Sequence, residues 1–282
     1  MTFLGIYREP EYSPGRHTSN DSQILELVGQ ALEQFGVGVR LVSLEDARSL
    51  WKEADLIFSM CQGPQALAEL TEWKQQGARI LNDPVGSRKT YRESLCRTLS
   101  HRTLPFPRSV ALATDGSADL ARYQEFFQPR GAWLKRADVH ATQPADVMRV
   151  KQWQDLPFAL ELFHVRGLTQ AILQEHVEGD EVKFYAVQEG KFFWPYYPKD
   201  CIGHPFDENA LQKMAEDAAQ TLGVSVYGGD AIISANGTIT LIDLNDWPSF
   251  APCRGAAAFS IAHFLKESHV TQNRRATANA SQ

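Results

Sequence analysis

Residues 239–250 read ITLIDLNDWPSF, a run of strand formers that delivers Asp243, Asn245 and Asp246. Carboxylates are costly to hold beside a buried strand unless something pairs with them. Residues 243 and 245 are two apart and share one face of a strand, whereas Asp246 falls on the other face and reads as a cap or a solvated acid. The preceding strand, GGDAIIS, carries Asp230, and the turn ANG at 235–237 lets the two strands pair, bringing Asp230 near the same end of the ladder. Three oxygen donors from two strands suit Mg²⁺, which takes oxygen ligands, keeps several waters and shares its shell with substrate phosphates. A turn-capping Asp and Asn is the competing reading. The triple followed by Pro248 favours the metal.

Two lysines lie inside strand-like runs, Lys135 in AWLKRADV and Lys183 in EVKFYAV. An interior strand lysine must carry its charge to water or to a partner. Two of them in one body suggest a clamp for phosphate oxygens, for which an ammonium is a suitable point charge. A lone strand lysine would read as an edge residue. Between them, LQEHVEGDE ends an apolar strand in an acidic turn with Glu175, Glu178, Asp180 and Glu181. Acids at such a place can bind ribose hydroxyls.

These residues need elements to hold them. The first 83 residues alternate strand and helix signals. Strands are expected at 2–7, 38–44, 54–61 and 78–83, and helices at 21–36 and 64–77. That alternation argues for a parallel sheet flanked by helices, with ligands beyond the carboxyl ends of the strands. Those ends lead into the loop 8–20, with Arg8, Arg16 and His17, and into CQGPQ at 61–65. A basic segment over 85–103 reads as helix. Strand-like runs follow at 132–139, 158–163, 171–177, 181–187 and 191–197, the last two joined by a QEG hairpin. A helix is expected over 207–223, capped by Asp207 and ended by Gly223, and another over 255–267. Trp133, Trp153 and Trp194 read as core or interface residues.

The chain has 282 residues, 43% hydrophobic and 22% charged, with a net charge of −6. This is an ordinary globular composition, large enough for two or three packed subdomains. No broad basic field exists to hold nucleic acid. No apolar run reaches bilayer length, and MTFLGIYREP does not read as a signal peptide. The four scattered cysteines form no CxxC pair, so free thiols in the cytoplasm are expected. The expected partner is a small-molecule substrate, with neither nucleic acid nor membrane; the oligomeric state stays open.

The order Lys135, QEHVEGDE, Lys183, Asp230, IDLN resembles the ATP-grasp superfamily over roughly residues 1–265. The resemblance implies an α/β and α+β fold: a Rossmann-like N-terminal substrate domain (1–84) and a two-subdomain ATP-grasp domain (85–268); the tail (269–282), poor in apolar residues, reads as disordered. It implies ATP and Mg²⁺ as cofactors. Lys135 would contact the phosphates, joined by a basic residue of the helix near 88–92, with Arg92 fitting best and Arg88 second. Gln174, Glu175, His176 and Val177 would form the hinge strand that reads adenine, with Asp180 or Glu181 on the ribose. Asp230, Asp243 and Asn245 would hold the metal. From the residues themselves, Lys183 joins Lys135 in the phosphate clamp, and 254–265 reads as a packing helix whose N-terminus and Arg254, following the metal strand, could equally meet an anion. Arg8, Arg16, His17, Arg136 and His140 are the candidates for the second substrate. One departure stands out: members usually carry a glycine-rich flap after the first lysine, and here KRADVHATQPADV has no glycine. Most members are ligases that activate a carboxylate as an acyl phosphate for attack by an amine or thiol. A minority are small-polyol kinases, to which KFYAV and IDLN are similar. Both chemistries stay open, with the ligase ahead.

Overall fold

The structure is a computed structural model that describes residues 1–13, 18–100, 104–127, 130–198 and 200–280. Arg16 and His17 lie outside the described residues.

The N-terminal layer is a parallel sheet in the order β2-β1-β3-β4, built from β1 (Thr2–Ile6), β2 (Gly38–Val42), β3 (Leu56–Ser59) and β4 (Ile80–Leu81). Alternate residues of each strand face opposite sides, so each face needs its own cover. On one side Phe3 and Phe58 pack against Ile24, Leu25 and Val28 of α1 (Thr18–Gln34) and against Ile261 and Leu265 of the last helix, α8 (Arg254–Ala280). On the other, Leu4 and Ile57 meet Ala47 of α2 (Leu44–Leu50) and Leu67 and Leu70 of α3 (Pro64–Gln75). The strand order reverses between β1 and β3, so a crevice opens at their carboxyl ends, beside Arg8 and Gln62.

Two short helices, α4 (Pro84–Lys89) and α5 (Arg92–Ser100), lead out of this layer. They replace the single helix expected over 85–103. A second sheet runs β5-β8-β6-β7, entirely antiparallel, from β5 (Ser109–Ala113), β6 (Ala132–Arg136), β7 (Val147–Val150) and β8 (Gln170–Glu175). It is covered by α6 (Leu156–Val165). This corrects the strand expected over 158–163. Leu156, Ala159, Leu160 and Phe163 are buried at helical spacing, and Pro157 sits in the first turn where its missing N–H costs nothing.

The third sheet, β10-β9-β11-β12, is antiparallel throughout: β9 (Asp180–Val187), β10 (Phe192–Tyr196), β11 (Val226–Ile233) and β12 (Ile239–Asp246). Helix α7 (Glu208–Leu222) covers one face through Leu211, Ala215, Ala218 and Leu222. Asp207 caps it by accepting from the amides of Asn209 and Ala210, and Gly223 ends it at φ 85°. Helix α8 runs to Ala280, well past the end expected at 267 and into the segment read as a tail. No helix among the described residues is long and apolar enough to cross a membrane.

Candidate active site

Strands β11 and β12 pair with Asp230 directly opposite Asp243 and Gly228 opposite Asn245. All three polar residues therefore stand on one face of the ladder. Like charges directly opposite one another repel, and the surrounding residues offset this. Lys183, opposite Asp230 on β9, places Nζ 2.9 Å from that carboxylate and 2.6 Å from Glu181. Arg92, the first residue of α5, donates from Nη2 to Asp243 at 2.8 Å. Burial pushes both carboxyls up. For Asp243 it is outweighed by Arg92 and Lys135, which hold the group down to about 2. For Asp230 burial wins over Lys183, and the neighbouring Asp243 adds to it, so that carboxyl stays above its ordinary value. Among the described residues no three His, Cys, Asp or Glu side chains form a metal cluster. The donor set on this face is two carboxylates and the amide of Asn245, oxygen groups of the kind a hard divalent cation takes.

Two cavities meet at these residues. One, about 300 Å³, is lined by Trp133, Lys135, Gln174, Glu175, His176, Val177, Glu181, Ile232 and Ile242, among others. The other, about 470 Å³, is lined by Arg8, Asp21, Gln62, His140, Asn245 and Asp246, among others. Arg92, Val147, Asp230 and Asp243 line both. In the first cavity Trp133 and Lys135 share a face of β6, being two residues apart. The Trp133 indole donates to His176 Nδ1 at 3.2 Å, and the Arg149 guanidinium covers its ring at 5.2 Å. Lys135, 6% exposed, donates to Gln174 Oε1 at 2.6 Å, and burial, reinforced by Arg92, lowers its pKa. Arg92 Nε is buried without a hydrogen-bond partner. A bound anion or an ordered water in the cleft would satisfy such a donor.

No protein-family model matches the sequence, and a comparison with curated proteins finds no match. Solved structures do match. The D-alanine-D-alanine ligase from Coxiella burnetii superposes with a TM-score of 0.72 over 100% of both chains at 12% identity. D-alanyl-alanine synthetase A from Vibrio cholerae gives 0.71 over 96% of this chain and 98% of that one at 13% identity. The ATP-grasp ligase PsnB, complexed with its minimal precursor, gives 0.63 over 94% and 98% at 14% identity. The chain has the ATP-grasp fold. At these identities the likeness concerns the fold, and the chemistry must be argued from the residues.

Within the ATP-grasp frame the residues expected from sequence separate into two groups. Lys135, Lys183, Arg92, Gln174, Glu175, His176, Val177, Glu181, Asp230, Asp243, Asn245, Arg8 and His140 line one or both cavities. Asp180, Arg136 and Arg254 do not. The Asp180 carboxylate accepts from the amides of Ile202, Gly203 and His204, which ties down a loop instead of facing the cleft. Arg136 pairs with Asp138 and Asp146. Arg254 bonds to Gln23, Asn20 and the Ser249 carbonyl, behind the wall of the larger cavity. Arg8 lines the cavity, but its guanidinium binds Asp21 and the carbonyls of Met60 and Trp247, welding β1, α1 and the segment after β12. Asp246 is neither a cap nor solvated: it is 1% exposed and accepts from Gln62 Nε2 at 2.8 Å, with the Ser87 hydroxyl alongside. Trp133, expected in the core or at an interface, is a wall of the smaller cavity. Gln62, in the CQGPQ segment expected beyond a strand end, lines the larger cavity, as do Asp21 and Val147, which no local pattern marks as site residues in the sequence.

The loop after β6 carries no glycine and is held by side-chain bonds. It is ordered by Asp146, which is fully buried. This carboxylate accepts from the Thr142 amide at 2.9 Å, the Thr142 hydroxyl at 3.2 Å and the Gln143 amide at 3.2 Å, and it pairs with Arg166.

Proposed function

We propose that the protein is a Mg-ATP-dependent ligase of the ATP-grasp type, which activates a carboxylate as an acyl phosphate for attack by an amine or thiol. The observation that carries this reading is the shared wall, Arg92, Val147, Asp230 and Asp243, between the two cavities. Phosphoryl transfer needs donor and acceptor in line, with charge-stabilising groups at their junction. In this reading ATP occupies the smaller cavity, its adenine beside Trp133 and the hinge backbone and its ribose toward Glu181. Residues 1–84 and the end of β12 form the acceptor chamber. Asp230, Asp243 and Asn245 would hold Mg²⁺, which when bound neutralises phosphate charge. The unpartnered Nε of Arg92 and the Lys135 ammonium point to the phosphates as their ligands.

Transfer to a hydroxyl is the competing chemistry. A phosphate-rich acceptor needs unpaired cations in the chamber. Among the described residues Arg8, Arg92 and Lys183 line it, and each already faces a carboxylate.

Saturating Mg-ATP should raise the melting temperature. With a panel of small carboxylic and amino acids, hydroxylamine should trap a hydroxamate as ADP is released. No thermal shift would sink the nucleotide site. A stable phosphorylated product without hydroxamate would sink the ligase.

A further inference from the structure

His140 sits on the loop after β6, 7% exposed, and its ring lines the acceptor chamber. Two hydrogen bonds decide which nitrogen carries its proton. Thr90 Oγ1 lies 2.6 Å from the Ser87 carbonyl oxygen and 3.0 Å from His140 Nε2. Two oxygens at 2.6 Å need a proton between them, so the single hydroxyl hydrogen of Thr90 goes to Ser87. The hydroxyl then accepts from the ring, which places the imidazole proton on Nε2 and leaves a lone pair on Nδ1. Burial pushes the imidazole down to about 4, so the ring is neutral at physiological pH. Tyr91 packs edge-on at 6.2 Å and fixes the ring plane.

The carboxylates of this chamber are engaged or buried: Asp21, Asp230 and Asp243 are each paired with a cation, and Asp246 gives one oxygen to Gln62 while its Oδ2 is buried without a partner. The neutral acceptors of Asn20, Gln62 and Asn245 are amide oxygens, so His140 Nδ1 is a nitrogen acceptor among oxygen ones. Nδ1 repels an incoming carboxylate or phosphate oxygen through its lone pair and favours a group that brings an N–H. We propose that His140 Nδ1 accepts a hydrogen bond from the attacking amine and is a specificity-determining residue of the acceptor chamber. The assignment rests on the ligase reading and narrows it. A neutral amine can give one N–H to Nδ1 and keep its own lone pair for the acyl carbon. A thiol is a weak donor, and a thiolate would meet lone pair against lone pair.

The test is a nitrogen–proton correlation spectrum of the histidine side chains in the ¹⁵N-labelled full chain, with His140→Ala used to assign the signal. Methylammonium chloride is the probe, and tetramethylammonium chloride, of equal charge but without N–H, is the control. The expected result is a protonated Nε2, an unprotonated Nδ1, and an Nδ1 resonance that methylammonium moves saturably and tetramethylammonium does not. Thr90→Val should collapse the two nitrogen shifts toward averaged values. A proton on Nδ1 in the unaltered protein, or an Nδ1 resonance that ignores methylammonium or answers both salts alike, overturns the proposal. The spectrum needs neither nucleotide nor turnover. Failure of the ligase reading therefore shows separately, in the thermal shift and hydroxamate assays.

Discussion

Arg92 Nη2 lies 2.8 Å from the Asp243 carboxylate, joining the start of α5 to β12 at the wall that the two cavities share. Both side chains are close to fully buried, at 5% and 11% exposure. Such a pair is poor evidence for stability in itself, since desolvation offsets most of the attraction. Its position argues for work on a substrate.

The pair makes a prediction about acid. Arg92 and Lys135 overcome burial and hold Asp243 at about 2, below the ordinary carboxylate range. A carboxyl depressed on folding stabilises the protein above its unfolded pKa, and that contribution is lost as pH falls from about 4 to about 2, roughly 2 kcal/mol in all. Denaturant titrations across this interval should therefore show a steeper loss for the unaltered protein than for Asp243→Asn. The same variant should lose roughly 100-fold or more in turnover at neutral pH. Equal acid limbs would show that Arg92 does not hold the carboxylate.

Asp230 should behave oppositely. Burial raises its carboxyl above the ordinary range in spite of Lys183, while the same carboxylate raises the Lys183 ammonium against its own burial, so little net stability rests on the pair. In Asp230→Asn, Lys183 keeps Glu181 as a partner at 2.6 Å. Stability at pH 7 should stay level or rise by about 1 kcal/mol, while Mg-ATP turnover collapses, the usual opposition between stability and activity at a working site. Calorimetry and a coupled ADP assay on the same preparation measure both. A clear loss of stability would make Asp230 structural.

The sequence carries the parts of this site that depend on neighbours along the chain. That Asp243 and Asn245 share a face is a property of any strand, and that Asp230 stands opposite follows from a short turn. The Asp207 cap and Gly223 stop of α7 are equally local. Residues 158–163 misled because a short apolar run has no clear period. The helix becomes visible when Leu156 and Pro157 are counted with it. Asp180 and Asp246 show the larger limit. One turns to amides more than twenty residues ahead and the other to Gln62, 184 positions away, and composition cannot say which partner a carboxylate will choose.

Asp180 yields its own test. Its two oxygens gather the amides of Ile202, Gly203 and His204 at 3.1, 2.8 and 3.0 Å. Asp180→Ala should release those three amides to fast hydrogen exchange and leave Asn209 and Ala210, capped by Asp207, protected. If ribose were the role of Asp180, the ATP-induced thermal shift would vanish. With Glu181 lining the cleft instead, the shift should persist in Asp180→Ala and shrink in Glu181→Ala.

The loop after β6 supplies the last prediction. A glycine-rich flap covers phosphates with free backbone amides and stays mobile because glycine does. Here the amides of Thr142 and Gln143 are already held by one buried carboxylate, with Arg166 behind it. The Arg166 guanidinium and the Thr142 amide outweigh burial and keep Asp146 ionised. Asp146→Asn puts an amide donor against these donors and leaves Arg166 facing a neutral group. Breaking a buried pair in this way costs about 3–5 kcal/mol. The loss should be concentrated in the loop: Thr142 and Gln143 amides should exchange faster, proteases should cut between β6 and β7, and the Michaelis constant for ATP should rise more than turnover falls. Proteolysis with and without Mg-ATP decides whether the loop covers the nucleotide. If ATP fails to protect the loop even in the unaltered protein, Asp146 orders a surface turn and the phosphates are covered from elsewhere.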